Sequence, residues 1–122
     1  MADVLIVDDD ENNRLLLATL LRHAGHVPLE AAGGQEALEI AQEKNPALII
    51  VDLSLPDLPG AQLLRLLRAD ARTASARIAL YTATRSDAAV DELRDLYRVE
   101  AVIPKPGDPQ QILLLLKQLL AP

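Results

Sequence analysis

The chain is predicted to be an α/β domain, an open, doubly wound parallel sheet of five strands with five helices on its two faces. Three observations lead there. Short apolar runs rich in Val and Ile alternate with longer segments of helical period, five such pairs fill the 122 residues, and no low-complexity linker interrupts them. Parallel neighbours need right-handed crossovers, so the connecting helices cover both faces of such a sheet. Half of the residues are hydrophobic, enough for one compact core, and residues 1–122 are expected to form a single domain.

The elements follow in order. Strand one, residues 4–8, is Val4-Leu5-Ile6-Val7 running into Asp8, Asp9 and Asp10. The helix over 11–24 repeats Leu17, Leu20, Leu21 and Ala24 at i, i+3, i+4, i+7, and Gly25 supplies the left-handed residue that ends it. A strand at 27–31 and a helix at 34–44 form the second unit. Strand three, 47–52, is the unbroken run Ala47-Leu48-Ile49-Ile50-Val51, closed by Asp52 and followed by Leu53-Ser54-Leu55-Pro56, Gly60 and a helix over 59–69. Strand four, 77–82, ends at Thr82, and Ser86 is the expected N-cap of a helix over 86–97. Strand five, 100–103, precedes Lys105. The last helix, 108–120, has Asp108 as N-cap and Pro109 in its first turn.

Composition excludes several functions. Twelve Lys and Arg against eighteen Asp and Glu give a net charge of −6, and there is no Phe or Trp to stack on bases, so direct nucleic-acid binding is disfavoured. The absence of Cys removes disulfides, thiolate metal sites and thiol chemistry. Met1-Ala2-Asp3 does not resemble a secretory signal, and no apolar stretch approaches the roughly 20 residues that span a bilayer. The expectation is a soluble cytoplasmic protein that does not engage membranes.

Ligands of open α/β sheets collect outside the carboxyl ends of the strands. Asp8, Asp9, Asp52, Thr82 and Lys105 all lie at or just beyond such ends, so the fold gathers residues distant in sequence into one site. Three neighbouring carboxylates repel one another unless a proton or cation offsets the charge. Hard oxygen ligands without Cys or a nearby His favour Mg²⁺ or Mn²⁺ over Zn²⁺. With such a metal, the Lys105 ammonium and the Thr82 hydroxyl, the site can neutralise a transferring phosphoryl group while Asp52 attacks it, yielding an aspartyl phosphate. Asp10 and Glu11 read as surface charge. His23 and His26 read as residues near a helix carboxyl end that meet its last carbonyls.

The whole chain resembles the receiver domains of two-component response regulators. Val7-Asp8-Asp9-Asp10 is similar to the family's acidic pair, Asp52-Leu53-Ser54-Leu55-Pro56 through Gly60 to its phosphoacceptor segment, Tyr81-Thr82-Ala83 to its switch hydroxyl, and Lys105-Pro106 to its lysine. The resemblance implies a flavodoxin-like sheet of order 2-1-3-4-5. It implies that Asp52 takes a phosphoryl group from a phosphohistidine on a sensor histidine kinase or histidine phosphotransfer protein. It also implies Mg²⁺ on Asp9 and Asp52, Asp8 acting through a metal-bound water, and Ser54 contributing its backbone carbonyl. Thr82 would swing toward the phosphoryl group, Lys105 would pair with it, and the Lys105-Pro106 bond resembles one that is cis in the family. Such a domain is not an enzyme but a phosphoacceptor that promotes its own phosphorylation and dephosphorylation. Ser54 and Thr84, both small and uncharged, leave attacking water unobstructed.

The chain departs from the family pattern at three places. Val102 stands where an aromatic commonly changes orientation, Gly107 where a Phe often follows Lys-Pro, and Arg98 where a Gly often precedes the last strand. A Thr–aromatic switch in its usual form is therefore not expected. Tyr81 has the strand parity of the opposite face. In the last helix Ile112, Leu115, Leu116 and Leu119 form a core stripe, and Leu113, Leu114 and Leu120 add apolar side chains beyond it. A helix apolar nearly all round needs more than one buried side, so that second face is expected to meet another copy of the chain or a missing neighbouring output domain. Two alternatives stay open: a receiver-shaped interaction module with phosphate-independent output, and an aspartate-nucleophile hydrolase. The hydrolase reading draws on the spacing of Asp8 and Asp10 but lacks a second acidic pair after Lys105.

Overall fold

In a computed structural model, described for residues 1–83 and 88–121, the chain forms the expected single parallel sheet. The elements run β1 (Asp3–Val7), α1 (Glu11–His23), β2 (Val27–Ala31), α2 (Gly34–Lys44), β3 (Leu48–Val51), α3 (Gly60–Ala69), β4 (Arg77–Thr82), α4 (Ala88–Tyr97), β5 (Ala101–Pro104) and α5 (Pro109–Leu119). Strand order is β2-β1-β3-β4-β5. The register is continuous, with Leu5 beside Leu29 and Ile49, Ile50 beside Ala79, and Leu80 beside Val102.

The inner strands are apolar over residues 4–7, 48–51 and 78–81 because both faces are covered there. Val4, Ile6, Leu48, Ile50, Ala79, Tyr81 and Ile103 point toward α1 and α5, where they meet Leu17, Leu21, Ile112 and Leu116. Leu5, Val7, Ile49, Val51, Ile78 and Leu80 point toward α2, α3 and α4, where they meet Ala37, Leu63, Leu67 and Val90. Burying a side chain of this size stabilises by about 1.5–3 kcal/mol, so the two layers dominate the folding energy. Proline sits only where the ladder tolerates it, as with Pro28 in the edge strand β2.

Local signals set the ends. Gly25 has φ 87°, and its N–H donates to Arg22 O (3.0 Å) while His26 N–H donates to Leu21 O (2.9 Å), the paired bonds of a left-handed helix stop. Asp108 accepts from Gln110 N at 3.0 Å, as its capping role requires. Arg98 has φ 57°, which explains in backbone terms the glycine expected there. Its neighbour Arg68 donates to the carbonyls of Tyr97 (2.8 Å), Ala74 (2.9 Å) and Ala76 (2.6 Å) and so ties the end of α3 to both turns below the sheet.

Several boundaries and faces differ from the sequence reading. The regular strands stop at Val7 and Val51, so Asp8 and Asp52 are the first residues beyond the ladder rather than its last. Ala18 replaces Leu20 and Ala24 among the fully buried residues of α1, because the helix turns its small side chain onto the sheet. In α5, Leu120 packs against the core cluster instead of the outer face, and Leu115 is only half-buried. Leu114 remains on the outer face, 54% exposed. The predicted cap Ser86 and the predicted flanking residue Thr84 lie outside the described residues.

The start of α3 fits tightly under the acceptor segment. A Cβ on Gly60 would lie 2.5 Å from Leu53 Cα and 2.8 Å from the Asp52 carbonyl oxygen, both backbone atoms that cannot rotate away. Gly60→Ala is therefore expected to destabilise the fold by about 1–3 kcal/mol, measured by urea denaturation. Unchanged stability would show that the helix start can slide.

Candidate functional site

The site forms where β1, β3, β4 and β5 end. Asp8 N–H still donates to Ala31 O (3.1 Å), and Asp52 N–H to Val7 O (2.9 Å), so each acid is anchored by a last ladder bond. Lys105 is placed the same way, its N–H donating to Thr82 O at 3.1 Å, followed by a cis peptide to Pro106. Asp8 is wholly buried, Asp52 is 5% exposed and Thr82 7%, whereas Asp9 is exposed. One oxygen from each of Asp8, Asp9 and Asp52 lies within 4.8 Å of the other two, a spacing at which a single cation can be shared. The three acids expected from the sequence thus meet.

Hydrogen bonding orients the carboxylates. Asp8 Oδ1 accepts from Asp10 N (2.9 Å), and Asp52 Oδ1 accepts from Ser54 N (3.1 Å). The Lys105 ammonium is shared, 2.8 Å from Asp8 Oδ2 and 3.1 Å from Asp52 Oδ2. Only the Asp52 contact has hydrogen-bond geometry, so Asp8 Oδ2 is buried beside a charge without a proper donor. Burial alone would lower the Lys105 pKa, but its contacts with the two carboxylates together raise it above the ordinary 10.5. Among the described residues, the Lys105 ammonium contacts two of the three acids. The donor set, all carboxylate with one unsatisfied buried oxygen, fits a hard divalent cation such as Mg²⁺ or Mn²⁺. Ser54 is exposed, and its backbone N–H donates to Asp52 Oδ1.

Three further residues hold the site and were missed in the sequence. Arg14 of α1 donates from Nη1 to the Asp8 carbonyl (2.7 Å) and from Nε to Glu30 (3.2 Å), fixing the backbone between the two acids. Asp57, in the loop after Asp52, accepts from Gly34 N (2.9 Å) and Gln35 N (3.2 Å) and caps α2, whose own N-cap Gly33 has no side chain to do so. Tyr81 lies beneath the Lys105 ammonium, 4.9 Å from Nζ to the ring centroid. The sequence signals were the Pro56-Asp57 turn and the strand parity of Tyr81, but the contacts Arg14–Glu30, Asp57–Gly34 and Tyr81–Lys105 join residues far apart in the chain. Asp10, read as surface charge, also caps α1 by accepting from Asn12 N at 2.8 Å.

Comparison with known proteins agrees with this geometry. The response regulator receiver domain profile matches residues 4–117. SrrA, a transcriptional regulatory protein of Staphylococcus aureus, is 35% identical over 97% of this chain and 47% of its own length. The chain therefore spans about half the length of the curated relatives it matches. Among solved structures, the chemotaxis response regulator CheY4 of Vibrio cholerae aligns with TM-score 0.89 and 28% identity over 98% of this chain and 99% of that one. A sensor protein from Polaromonas aligns with TM-score 0.86 and 29% identity, covering 95% of this chain and 93% of that one. Among the described residues no helix is long and apolar enough to cross a membrane.

Two outcomes follow from the electrostatics. Asp9→Asn removes one of three clustered charges and is expected to stabilise the metal-free protein by about 1 kcal/mol in chemical denaturation, since unit charges this close repel by that order in a wet site. Loss of stability would mean that the acids do not repel appreciably. The amides of Gly34 and then Gln35 lower the pKa of Asp57 below 3.8, so its stabilisation is complete above 3.8 and is lost as pH falls through the depressed folded value. Asp57→Ala should lower the Tm at pH 7, with the difference from the parent closing as pH drops below 3.8. A difference independent of pH would contradict the cap.

Proposed function

The chain belongs to the response regulator receiver domain family of two-component signal transduction, and from that premise we propose that it is a phosphoacceptor whose reactive group is Asp52. The observation that supports this most directly is the Asp52 carboxylate at the mouth of β3, with Oδ1 held by the Ser54 amide and Oδ2 by the Lys105 ammonium. These two contacts restrain the carboxylate, and Lys105, already beside Oδ2, lies close to where the oxygens of a phosphoryl group on Asp52 would be.

In the proposed transfer an Asp52 oxygen bonds to phosphorus as the P–N bond of a partner's phosphohistidine breaks, and the released imidazole nitrogen keeps the bonding electrons. Lys105 neutralises charge on the phosphoryl oxygens, and the Thr82 hydroxyl donates to one of them. Asp8, Asp9 and Asp52, with the Ser54 carbonyl, would hold Mg²⁺, which supplies positive charge against the same oxygens. The donor is a sensor histidine kinase or a histidine phosphotransfer protein. Hydrolysis of the acyl phosphate by water returns the chain to its starting state, and the small exposed Ser54 leaves that approach open.

Output is assigned to α5, where the exposed Leu114 and half-buried Leu115 line a groove of 490 Å³ with Pro104, Gln111, Ile112 and Gln118. A second copy or an output domain would cover it. SrrA, a transcriptional regulatory protein about twice the matched length, supports the output-domain version. The interaction-module alternative keeps the same surface without phosphate control.

The test is intact-mass spectrometry after incubation with acetyl phosphate and Mg²⁺. The native chain should gain one phosphoryl group and Asp52→Asn none. No adduct on a folded, metal-binding native protein would favour the phosphate-independent module.

A further inference from the structure

Lys105 is held from three sides, and only two of them are charged. Asp8 and Asp52 draw the ammonium toward the acids. On its third side the ring of Tyr81 stands 4.9 Å from Nζ to the centroid. Tyr81 is 2% exposed and packs in the cluster that contains Ile103, Ile112 and Leu116, so the ring cannot turn aside without opening a close-packed layer. Parallel pairing sets Tyr81 beside Ile103, two residues before the lysine, which fixes the ring relative to the start of the Lys105 side chain.

The physical effect is specific. Lysine is a point charge on a flexible four-carbon stem, and its two carboxylate contacts differ, 2.8 Å to Asp8 and 3.1 Å to Asp52, with hydrogen-bond geometry in the second alone. An aromatic face attracts an ammonium without adding charge or accepting its proton. We propose that Tyr81 is a positioning residue for Lys105, its ring fixing the ammonium between Asp8 and Asp52, within reach of a phosphoryl group on Asp52. The proposal rests on Asp52 being the acceptor. It is distinct from an aromatic switch at position 102, because Val102 packs on the α2–α4 face and Tyr81 on the α1–α5 face.

The test compares Tyr81→Phe, which keeps the ring, with Tyr81→Leu and Tyr81→Met, which keep apolar bulk without it. Thermal unfolding checks the fold, NMR reads the Lys105 Cε protons, which the ring current should shift upfield, and intact mass follows phosphorylation by acetyl phosphate. The native protein and Tyr81→Phe should show the upfield shift and phosphorylate within about twofold of each other. The ringless variants should lose the shift and phosphorylate about three- to tenfold more slowly. A folded ringless variant phosphorylating at the native rate overturns the proposal, as does a native Lys105 resonance at the ordinary lysine position. The resonance is read on the native chain, so an ordinary position overturns the proposal even where a ringless variant fails to fold. If the native chain takes no phosphoryl group, the acceptor reading fails and the proposal with it, whereas an ordinary Lys105 resonance in a chain that does phosphorylate overturns the role of the ring alone.

Discussion

Everything at the functional end of this molecule depends on the forced proximity of like charges. Three carboxylates that would separate in a flexible chain share a space in which one oxygen of each lies within 4.8 Å of the others. What holds them there is the sheet. Asp8 and Asp52 are fastened by the last hydrogen bonds of adjacent parallel ladders, and the apolar strands behind them cannot retreat without exposing both core layers. Among the described residues that repulsion is offset in part by the Lys105 ammonium, and the negative charge that remains is of the kind a divalent cation would neutralise.

The supporting contacts share this logic. Arg14 ties the carbonyl of Asp8 to α1 and β2, Asp57 ties the acceptor loop to the start of α2, and the side-chain-free surface of Gly60 lets α3 approach the backbone of Asp52 and Leu53. Each links the loop bearing an acid to a different helix. At the opposite end of the sheet Arg68 performs a purely structural task, satisfying carbonyls in two turns with one guanidinium. The molecule thus has an apolar base and a charged rim, and a few identifiable contacts join the rim to the helices.

Much of this was legible in the sequence. The runs Val4–Val7 and Leu48–Val51 are apolar at every position because helices cover both sides, which marks them as interior strands. Gly25 and Asp108 declared helix ends through backbone chemistry that acts over a few residues. Strand-end acids followed from the same alternation. Arg14, Asp57 and Tyr81 were not legible as site residues, because Glu30, Gly34 and Lys105, which they meet, lie at sequence distances where only the finished fold decides contact. Leu120 was misassigned for a related reason: helical period gives a face, but the depth of the neighbouring layer decides whether its margin is covered. Parity did place Tyr81 on the face opposite Thr82, without indicating that the lysine beyond the next strand would reach back over its ring.

The central claim is that the clustered acids form a cation-dependent acceptor site and not a set of solvated strand ends. Titration of the native protein with Mg²⁺, followed by calorimetry with the Tm measured in parallel, tests it most directly. The account predicts one saturable site, a Tm that rises with Mg²⁺ concentration, and loss of both in Asp52→Asn. A native protein whose heat and Tm ignore Mg²⁺, or whose response is unchanged in Asp52→Asn, would contradict it.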